Sequence, residues 1–395
     1  LQKIAYHHAI WIHAASVGEV VAASPIVREL KKRYPEEMVV VSVVTATGHR
    51  MARRIIPEAD GHIFFPFDLP VITNRIVRIV EPKAIILIET ELWPNFLRIA
   101  SRSHIPVMMM NGRISDRSMK RYSLIKPVTE KMLDQIQKFC MQSAHDAGYI
   151  IKMGARPERV SVIGNTKYDQ TYAEVSEKEK QQLRKEFRFT GSGPIIVAGS
   201  THSGEEEIVM HAFERVLKKY PDAKLLLAIR EITRAASVKF LIHHFGYSVI
   251  RRSEMGIESD DGSAHQIVIL DTIGELGRLY SLADVVFVGG SFVRVGGHNI
   301  LEPAAHGKPV LVGPFMFNFK EIFKLLSERG VCIMCNTPED FEEELLALLA
   351  DRQKMQKMGQ VALEVVRENQ GATGRNIAAF EKLLAEYHVQ LKGHK

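Results

Sequence analysis

The stretch AIWIHAASVGEV, residues 9–20, runs from an apolar strand-like segment through a loop of small residues to a lone carboxylate, Glu19, where a helical pattern begins. Val20, Ala23, Val27 and Leu30 recur at helical spacing, and the pattern ends at KKRYP, residues 31–35, where basic side chains complement a helix carboxyl terminus. A strand giving way to a helix is the unit of an α/β domain, and the joining loop lies at the carboxyl edge of the sheet, where such folds bind ligands. Glu19 is therefore a candidate for chemistry. In a first helical turn the helix dipole favours the ionised carboxylate, the form a general base needs. Two other readings stay open: Glu19 can simply cap the helix, and Ser24 with Pro25 can mark a later start that leaves Glu19 in the loop.

Outward from this stretch the alternation repeats through MVVVSVV (38–44), ATGHRMARRII (46–56), KAIILIE (83–89), ELWPNFLRIASRSH (91–104) and PVMMMN (106–111), which argues for a parallel sheet covered by helices. The three methionines at 108–110 read as strand core. After VIGNTKYDQ (162–170) comes a polar helical stretch, and strands resume at GPIIVAGSTH (193–202), AKLLLAIR (223–230), QIVILDT (266–272), DVVFVGGS (284–291) and KPVLVGP (308–314). The expected division is a Rossmann-like domain over 1–170, a linker over 171–189, a second Rossmann-like domain over 190–372, and a terminal helix over 373–395. That helix carries Ile377, Phe380, Leu383 and Leu384 on one face and is expected to pack back on the first domain.

The length of 395 residues suits two domains, and 46% apolar with 25% charged residues suits a globular protein. No run approaches the roughly 18 apolar residues of a spanning helix, and the first residues lack the pattern of a signal peptide. Residues 1–170 hold 24 Lys and Arg against 16 Asp and Glu, the remainder 28 against 30. The basic first half suits an anionic partner: phosphate, nucleic acid or an acidic membrane surface. The 3 cysteines indicate a reducing compartment, and Cys332 with Cys335 form a lone CxxC in an apolar setting, which argues against zinc or redox chemistry. The 16 histidines show no metal-ligand spacing.

Glu89 and Glu91 end a strand and so fall at the same sheet edge as Glu19, although acids there can also be helix caps. In the second half, GSTHSGEEE (199–207) and VGGSFVRVGGHNILEP (288–303) pair a strand with a small-residue loop that opens a helix. Such loops bare N–H groups that hold phosphates, and Glu302 can accept from ribose hydroxyls. No GxxxxGK[ST] or paired-aspartate element is present, so neither a P-loop nor a metal-held diphosphate is expected. The loop NGRISDRSMKRY (111–122) concentrates Arg113, Arg117, Lys120 and Arg121. Ser16, Gly18, Arg113, Ser200, Thr201, Gly297 and His298 are further candidates for touching substrate.

Taken together, WIHAASVGEV, IETELWPN, VIGNTKYD, GSTHSGEE, DTIGELGRLY and GGSFVRVGGHNILEPAAHGKPVLVGP resemble the 3-deoxy-D-manno-octulosonic acid (Kdo) transferases of Gram-negative lipid A synthesis, in order along nearly the whole chain. The resemblance implies a GT-B glycosyltransferase, two Rossmann-like domains with parallel sheets facing a central cleft. It implies inverting, metal-independent transfer of Kdo from CMP-Kdo to the tetraacyl lipid A precursor (lipid IVA) in lipopolysaccharide core synthesis, without a cofactor or a nucleic-acid partner. It places such an enzyme at the cytoplasmic face of the inner membrane, held peripherally on anionic lipid or by an amino-terminal anchor that this chain does not include. Glu19 resembles the proton acceptor, and Glu89 with Lys167 the pair that stabilises the transition state. Donor contacts are implied at Arg230 and Glu231, at Ile273, Gly274 and Glu275, and at Asn299, Ile300, Leu301 and Glu302. Ile229 and Glu231 stand where the family usually has Pro and His, from which weaker donor binding is expected. Two alternatives share the pattern: a nucleotide-sugar 2-epimerase of the same architecture and a non-catalytic anion-binding protein.

Overall fold

The structure, a computed structural model, describes residues 8–116, 118, 119, 122, 125–170, 174–256, 265–389 and 391. The chain divides into two compact units, Leu1–Thr171 with Asn369–Lys395, and Tyr172–Glu368. The first contains β1 (Ile10–His13), α1 (Val17–Arg33), β2 (Val39–Val43), α2 (Ala46–Ile55), β3 (Gly61–Phe64), α3 (Pro70–Val80), β4 (Ala84–Ile88), α4 (Pro94–Arg102), β5 (Val107–Gly112), α5 (Lys126–Leu133), β6 (Lys138–Met141), α6 (Ala144–Lys152) and β7 (Val160–Val162). Among the described residues these strands form one parallel sheet in the order β3-β2-β1-β4-β5-β6-β7.

Side chains alternate across a strand, so a strand buried on both faces must be apolar at every position. Trp11, Ile85, Leu87 and Met109 accordingly enter the core on one face of the sheet, and Ile10, Ile12, Ile86, Met108 and Met110 the core on the other. Val20, Ala23, Val27 and Leu30 of α1 join this second core. β1 lies between β2 and β4, and the chain runs out to β3 before returning to β4 on the other side of β1. The carboxyl ends of β1 and β4 therefore flank the point where strand order reverses, the usual ligand crevice of a doubly wound sheet.

Pro25 does not start α1; it sits inside the helix, and Glu19 lies in the helix proper. A mid-helix proline leaves the carbonyl four residues back without its donor. Here Val21 O accepts from Ser24 Oγ at 3.0 Å and from Gln170 Nε2 at 3.3 Å instead.

The second unit contains α7 (Glu177–Glu186), β8 (Ile195–Thr201), α8 (Glu205–Lys219), β9 (Lys224–Ile229), α9 (Ala235–His244), β10 (Val249–Arg251), β11 (Ile267–Leu270), α10 (Leu276–Leu279), β12 (Val285–Val288), α11 (Leu301–Ala305), β13 (Val310–Val312), α12 (Lys320–Glu328), β14 (Cys332–Met334), α13 (Pro338–Ala350) and α14 (Arg352–Asn369). Its described strands are again parallel, in the order β10-β11-β9-β8-β12-β13-β14, which puts the reversal between β8 and β12. The stretch expected as a linker carries α7, which opens with a Ser176–Glu179 capping box and leads into buried Phe187 and Phe189. α15 (Ala372–Glu386) lies in the first unit, with Ile377, Phe380, Leu383 and Leu384 in the core beside Ile26 and Val27. Cys332 and Cys335 are free and buried, and burial pushes the Cys335 thiol up to about 12. Among the described residues no helix is long and apolar enough to cross a membrane.

Candidate active site

Ser16 caps α1, and its hydroxyl both accepts from Glu19 N–H at 3.4 Å and donates to Glu19 Oε1 at 2.9 Å. Glu19 Oε2 accepts from Ala15 N–H at 2.7 Å, so the carboxylate folds back over its own loop. Ser16 and Gly18 are exposed, and a Cβ built on Gly18 would meet nothing nearer than Ser16 Oγ at 3.9 Å. The loop thus leaves open space above a carboxylate that is only 9% exposed. Burial, followed by the charges of Glu91 and Glu89, pushes the Glu19 carboxyl up to about 8 against the opposing bonds from Ala15 and Ser16. The expectation that the helix terminus would keep it readily ionised is thereby corrected: desolvation and two like charges outweigh the dipole.

Glu89 and Glu91 follow β4, which pairs with β1. Glu89 has φ 59°, a left-handed conformation unusual for a residue with a side chain. Its N–H donates to Met110 O at 3.1 Å, and Thr90 Oγ1 donates to Arg113 O. Lys167 Nζ donates to Glu89 Oε1 at 2.8 Å, both side chains being largely buried. The lysine sits in a 3-10 turn, Thr166–Asp169, that is tied on several sides. Thr166 N–H donates to Asn111 Oδ1 at 2.9 Å, Thr166 Oγ1 donates to Ala22 O at 2.8 Å, and Lys167 N–H donates to Asn165 Oδ1 at 2.9 Å. Asp169 accepts from Gly371 and Thr373 N–H at the start of α15, so the returning helix braces the lysine turn. Three carboxylates and one ammonium, from three segments, meet here. Arg117, Lys120 and Arg121 lie outside the described residues.

In the second unit the small-residue loops are arranged differently from the expected phosphate cradle. Glu205, fully buried, accepts from Gly290 N–H at 2.7 Å, Ser291 N–H at 3.0 Å, Phe292 N–H at 2.9 Å and His202 N–H at 2.9 Å. The chain's own carboxylate fills that nest. Gly297 is also committed: its N–H donates to Gly290 O at 2.8 Å, and a Cβ there would strike Met316 Sδ at 2.3 Å. Thr201 is buried and donates to Glu206 Oε1 at 3.1 Å, and Glu206 takes a bidentate pair from Arg234. Ile300 and Leu301 are core side chains, and Leu301 N–H donates to Asn299 Oδ1 at 3.0 Å. The side chains of Thr201, Ile300 and Leu301 are thus buried within the unit.

What remains open at this edge is Arg230 beside a pair of histidines. His202 Nε2 lies 2.8 Å from His298 Nε2, so the two rings share one proton. Burial, then Arg230 and His202, pull His298 down to about 4. Arg230 and half-exposed Ser200, in the left-handed region at φ 57°, adjoin this pair at the ends of β9 and β8. His202 was not singled out from sequence, although its place one residue past a strand end was a usable signal. Glu231 is exposed and makes no ion pair with Arg230 among the described residues; its charge acts on Arg234. Ile229 is core at the end of β9.

A second group lies around α10 and α11. Glu275 accepts from Arg252 Nη2 at 3.1 Å and Arg278 Nη2 at 3.3 Å. Burial works to raise its carboxyl, but Thr272 and Arg252 bring it below the usual range. Ile273 is 62% exposed beside Gly274, which has φ 100°. Asn299 Nδ2 donates to Glu302 Oε1 at 3.2 Å, and burial raises the Glu302 carboxyl. An exposed apolar side chain beside carboxylate acceptors suits a base and a ribose. Among the described residues no group of three or more His, Cys, Asp or Glu is arranged to hold a metal ion.

Residues 2–170 match the family described as 3-Deoxy-D-manno-octulosonic-acid transferase (kdotransferase), and residues 254–365 match Glycosyl transferases group 1. The 3-deoxy-D-manno-octulosonic acid transferase of Haemophilus influenzae is 36% identical over 93% of this chain and 85% of its own length. The UDP-GlcNAc 2-epimerase of Neisseria meningitidis superposes with a TM-score of 0.64 at 14% identity, over 95% of this chain and 100% of its own. A glycosyltransferase of Rickettsia africae does so with a TM-score of 0.64 at 15% identity, over 96% and 99%. These two likenesses are of fold, the two-sheet GT-B architecture. With sequence identity of that extent to a named transferase, the chain belongs to the 3-deoxy-D-manno-octulosonic acid transferase family and is a glycosyltransferase.

Proposed function

We propose that the protein transfers Kdo from CMP-Kdo to a sugar hydroxyl of the tetraacyl lipid A precursor, with inversion at the anomeric carbon. The observation that carries this reading is the buried Glu19 carboxyl under an open loop of small residues, with the Lys167–Glu89 pair beside it. In the ionised form Glu19 takes the hydroxyl proton as the oxygen attacks the anomeric carbon; the bond to the CMP phosphate breaks, and CMP leaves with the electron pair. A single displacement of this kind inverts configuration. A carboxylate whose conjugate acid titrates near 8 accepts a proton far more strongly than an ordinary one. Glu89 offers charge to the developing cation, and Lys167 offers it to the donor's carboxylate.

Ile273, Glu275, Asn299 and Glu302 are assigned to the nucleoside, and Arg230 with the His202–His298 pair to the anionic end of the donor. In this reading CMP-Kdo is a substrate and no cofactor takes part. Lipid approaches from an anionic membrane, for which α3 and α4 offer a surface. Phe67 is 82% and Val71 81% exposed, and a groove of about 970 Å³ beside them is lined by Arg75, Arg78, Arg98 and Arg102. The test is the product of incubation with CMP-Kdo and the tetraacyl precursor, analysed by NMR. An anomeric configuration opposite to the donor's is expected; retention or an epimerised nucleotide sugar would overturn the reading.

A further inference from the structure

His13, the last residue of β1, is fully buried, yet the chemistry above does not use it. Its ring stacks on Phe65 with centroids 3.9 Å apart. Nδ1 lies 2.9 Å from Ser42 Oγ and 3.2 Å from Ser42 O, whereas Nε2 has no hydrogen bond and lies 3.4 Å from Glu91 Oε2. Ser42 O can only accept and suits Nδ1–H, whereas the nearer Ser42 Oγ can donate to Nδ1, so the proton's place is decided by the carboxylate on the other side of the ring. Trp11 Nε1, which can only donate, gives its proton to Ser42 Oγ at 2.8 Å, and the Ser42 hydroxyl keeps its own proton for Nδ1. Nε2 then carries the ring proton and faces the carboxylate. The other tautomer would set a lone pair against a carboxylate oxygen away from water. The same Glu91 oxygen accepts from Trp93 Nε1 at 2.8 Å.

We propose that His13 is a positioning residue which, with Trp93, holds the Glu91 carboxylate as a fixed negative charge beside Glu19. The proposal rests on the reading of Glu19 as the base. A fixed negative neighbour makes Glu19 a stronger proton acceptor, as Glu91's place among the causes that raise it indicates. The groups facing Glu19 are Glu89 and Glu91 after β4, with Ala15 N–H and the Ser16 hydroxyl on its own loop. Lys167 engages Glu89, and Tyr122 also feels Glu91. Trp93 Nε1 donates to Glu91 Oε2, and His13 Nε2 faces the same oxygen at 3.4 Å.

The experiment follows Glu19 by carboxyl-carbon NMR in glutamate-labelled protein, its signal assigned by loss in Glu19→Gln. No substrate is needed, so the outcome stands apart from whether the chain transfers Kdo, which the product assay decides. Glu91→Gln keeps an acceptor for both donors and drops the charge; the Glu19 midpoint is expected to fall by about one pH unit. His13→Asn keeps the reach to Ser42 and loses the reach to Glu91, and should give a smaller fall. His13→Gln, which restores an N–H near Nε2, should return most of it. The acid limb of the transfer rate should move with the midpoint, and thermal melting reports that each variant is folded. An unmoved midpoint in folded Glu91→Gln would overturn the proposal. So would a midpoint that moves in Glu91→Gln but not in folded His13→Asn; if His13→Asn does not fold, His13→Phe, which keeps the shape of the ring and offers no N–H to Glu91, is read in its place.

Discussion

At the residue scale, Glu19 sets stability against chemistry. Its carboxyl stands at about 8 in the fold against 4.5 when free, so the folded state binds the extra proton. The stability this gives is complete below the unfolded value and is lost as pH rises through about 8. Glu19→Gln should therefore melt like the parent near pH 4 and above it at pH 9, by on the order of a few kcal/mol, while turnover falls on the order of 10²-fold or more. Melting curves at the two pH values with single-turnover rates check both halves. Glu231 carries the opposite expectation. Exposed and turned toward Arg234, it should barely influence the donor, so Glu231→His is expected to change CMP affinity less than about threefold. Calorimetric titration at low salt measures it, and a tenfold gain would put Glu231 against the phosphate.

At the scale of elements, the returning helix α15 reaches the chemistry through Asp169. That carboxylate accepts from two N–H groups at the helix start while its neighbour Lys167 engages Glu89. Asp169→Ala should cost about 1–2 kcal/mol of stability and lower transfer with CMP affinity unchanged, as denaturant melts and calorimetry would show. The strands were legible in the sequence because burial on both faces demands unbroken apolar runs, and Glu19, Glu89 and Glu91 because they end such runs. Pro25 was not, since the donors that replace its missing N–H are side chains, one of them from Gln170, far away in the chain. Nor was the filling of the 290–292 nest by Glu205, the first residue of α8. The 2.8 Å approach of His202 and His298 is equally a product of two loops that only the sheet brings together. Ile300 and Leu301 read as ligand contacts by their motif and are core by packing.

At the scale of the whole molecule, charge is unevenly shared, 24 basic against 16 acidic residues over 1–170. Within that half, the arginines of the α3–α4 groove and exposed Phe67 and Val71 form the surface proposed to meet anionic lipid. Reversing Arg75, Arg78, Arg98 and Arg102 to Glu should weaken binding to anionic vesicles and raise the apparent KM for lipid, with CMP affinity unchanged. Vesicle flotation at low and high salt reads this, and equal binding to neutral vesicles would count against it. The central claim joins the donor, the lipid and Glu19 in one reaction. Its most direct test is a mass-spectrometric time course of the lipid on incubation with CMP-Kdo, the parent and Glu19→Gln side by side. The account predicts a lipid heavier by Kdo with the parent and, with the variant, a rate lower on the order of 10²-fold. An unchanged lipid with the parent, or more than about a tenth of the parent rate with the variant, would contradict it.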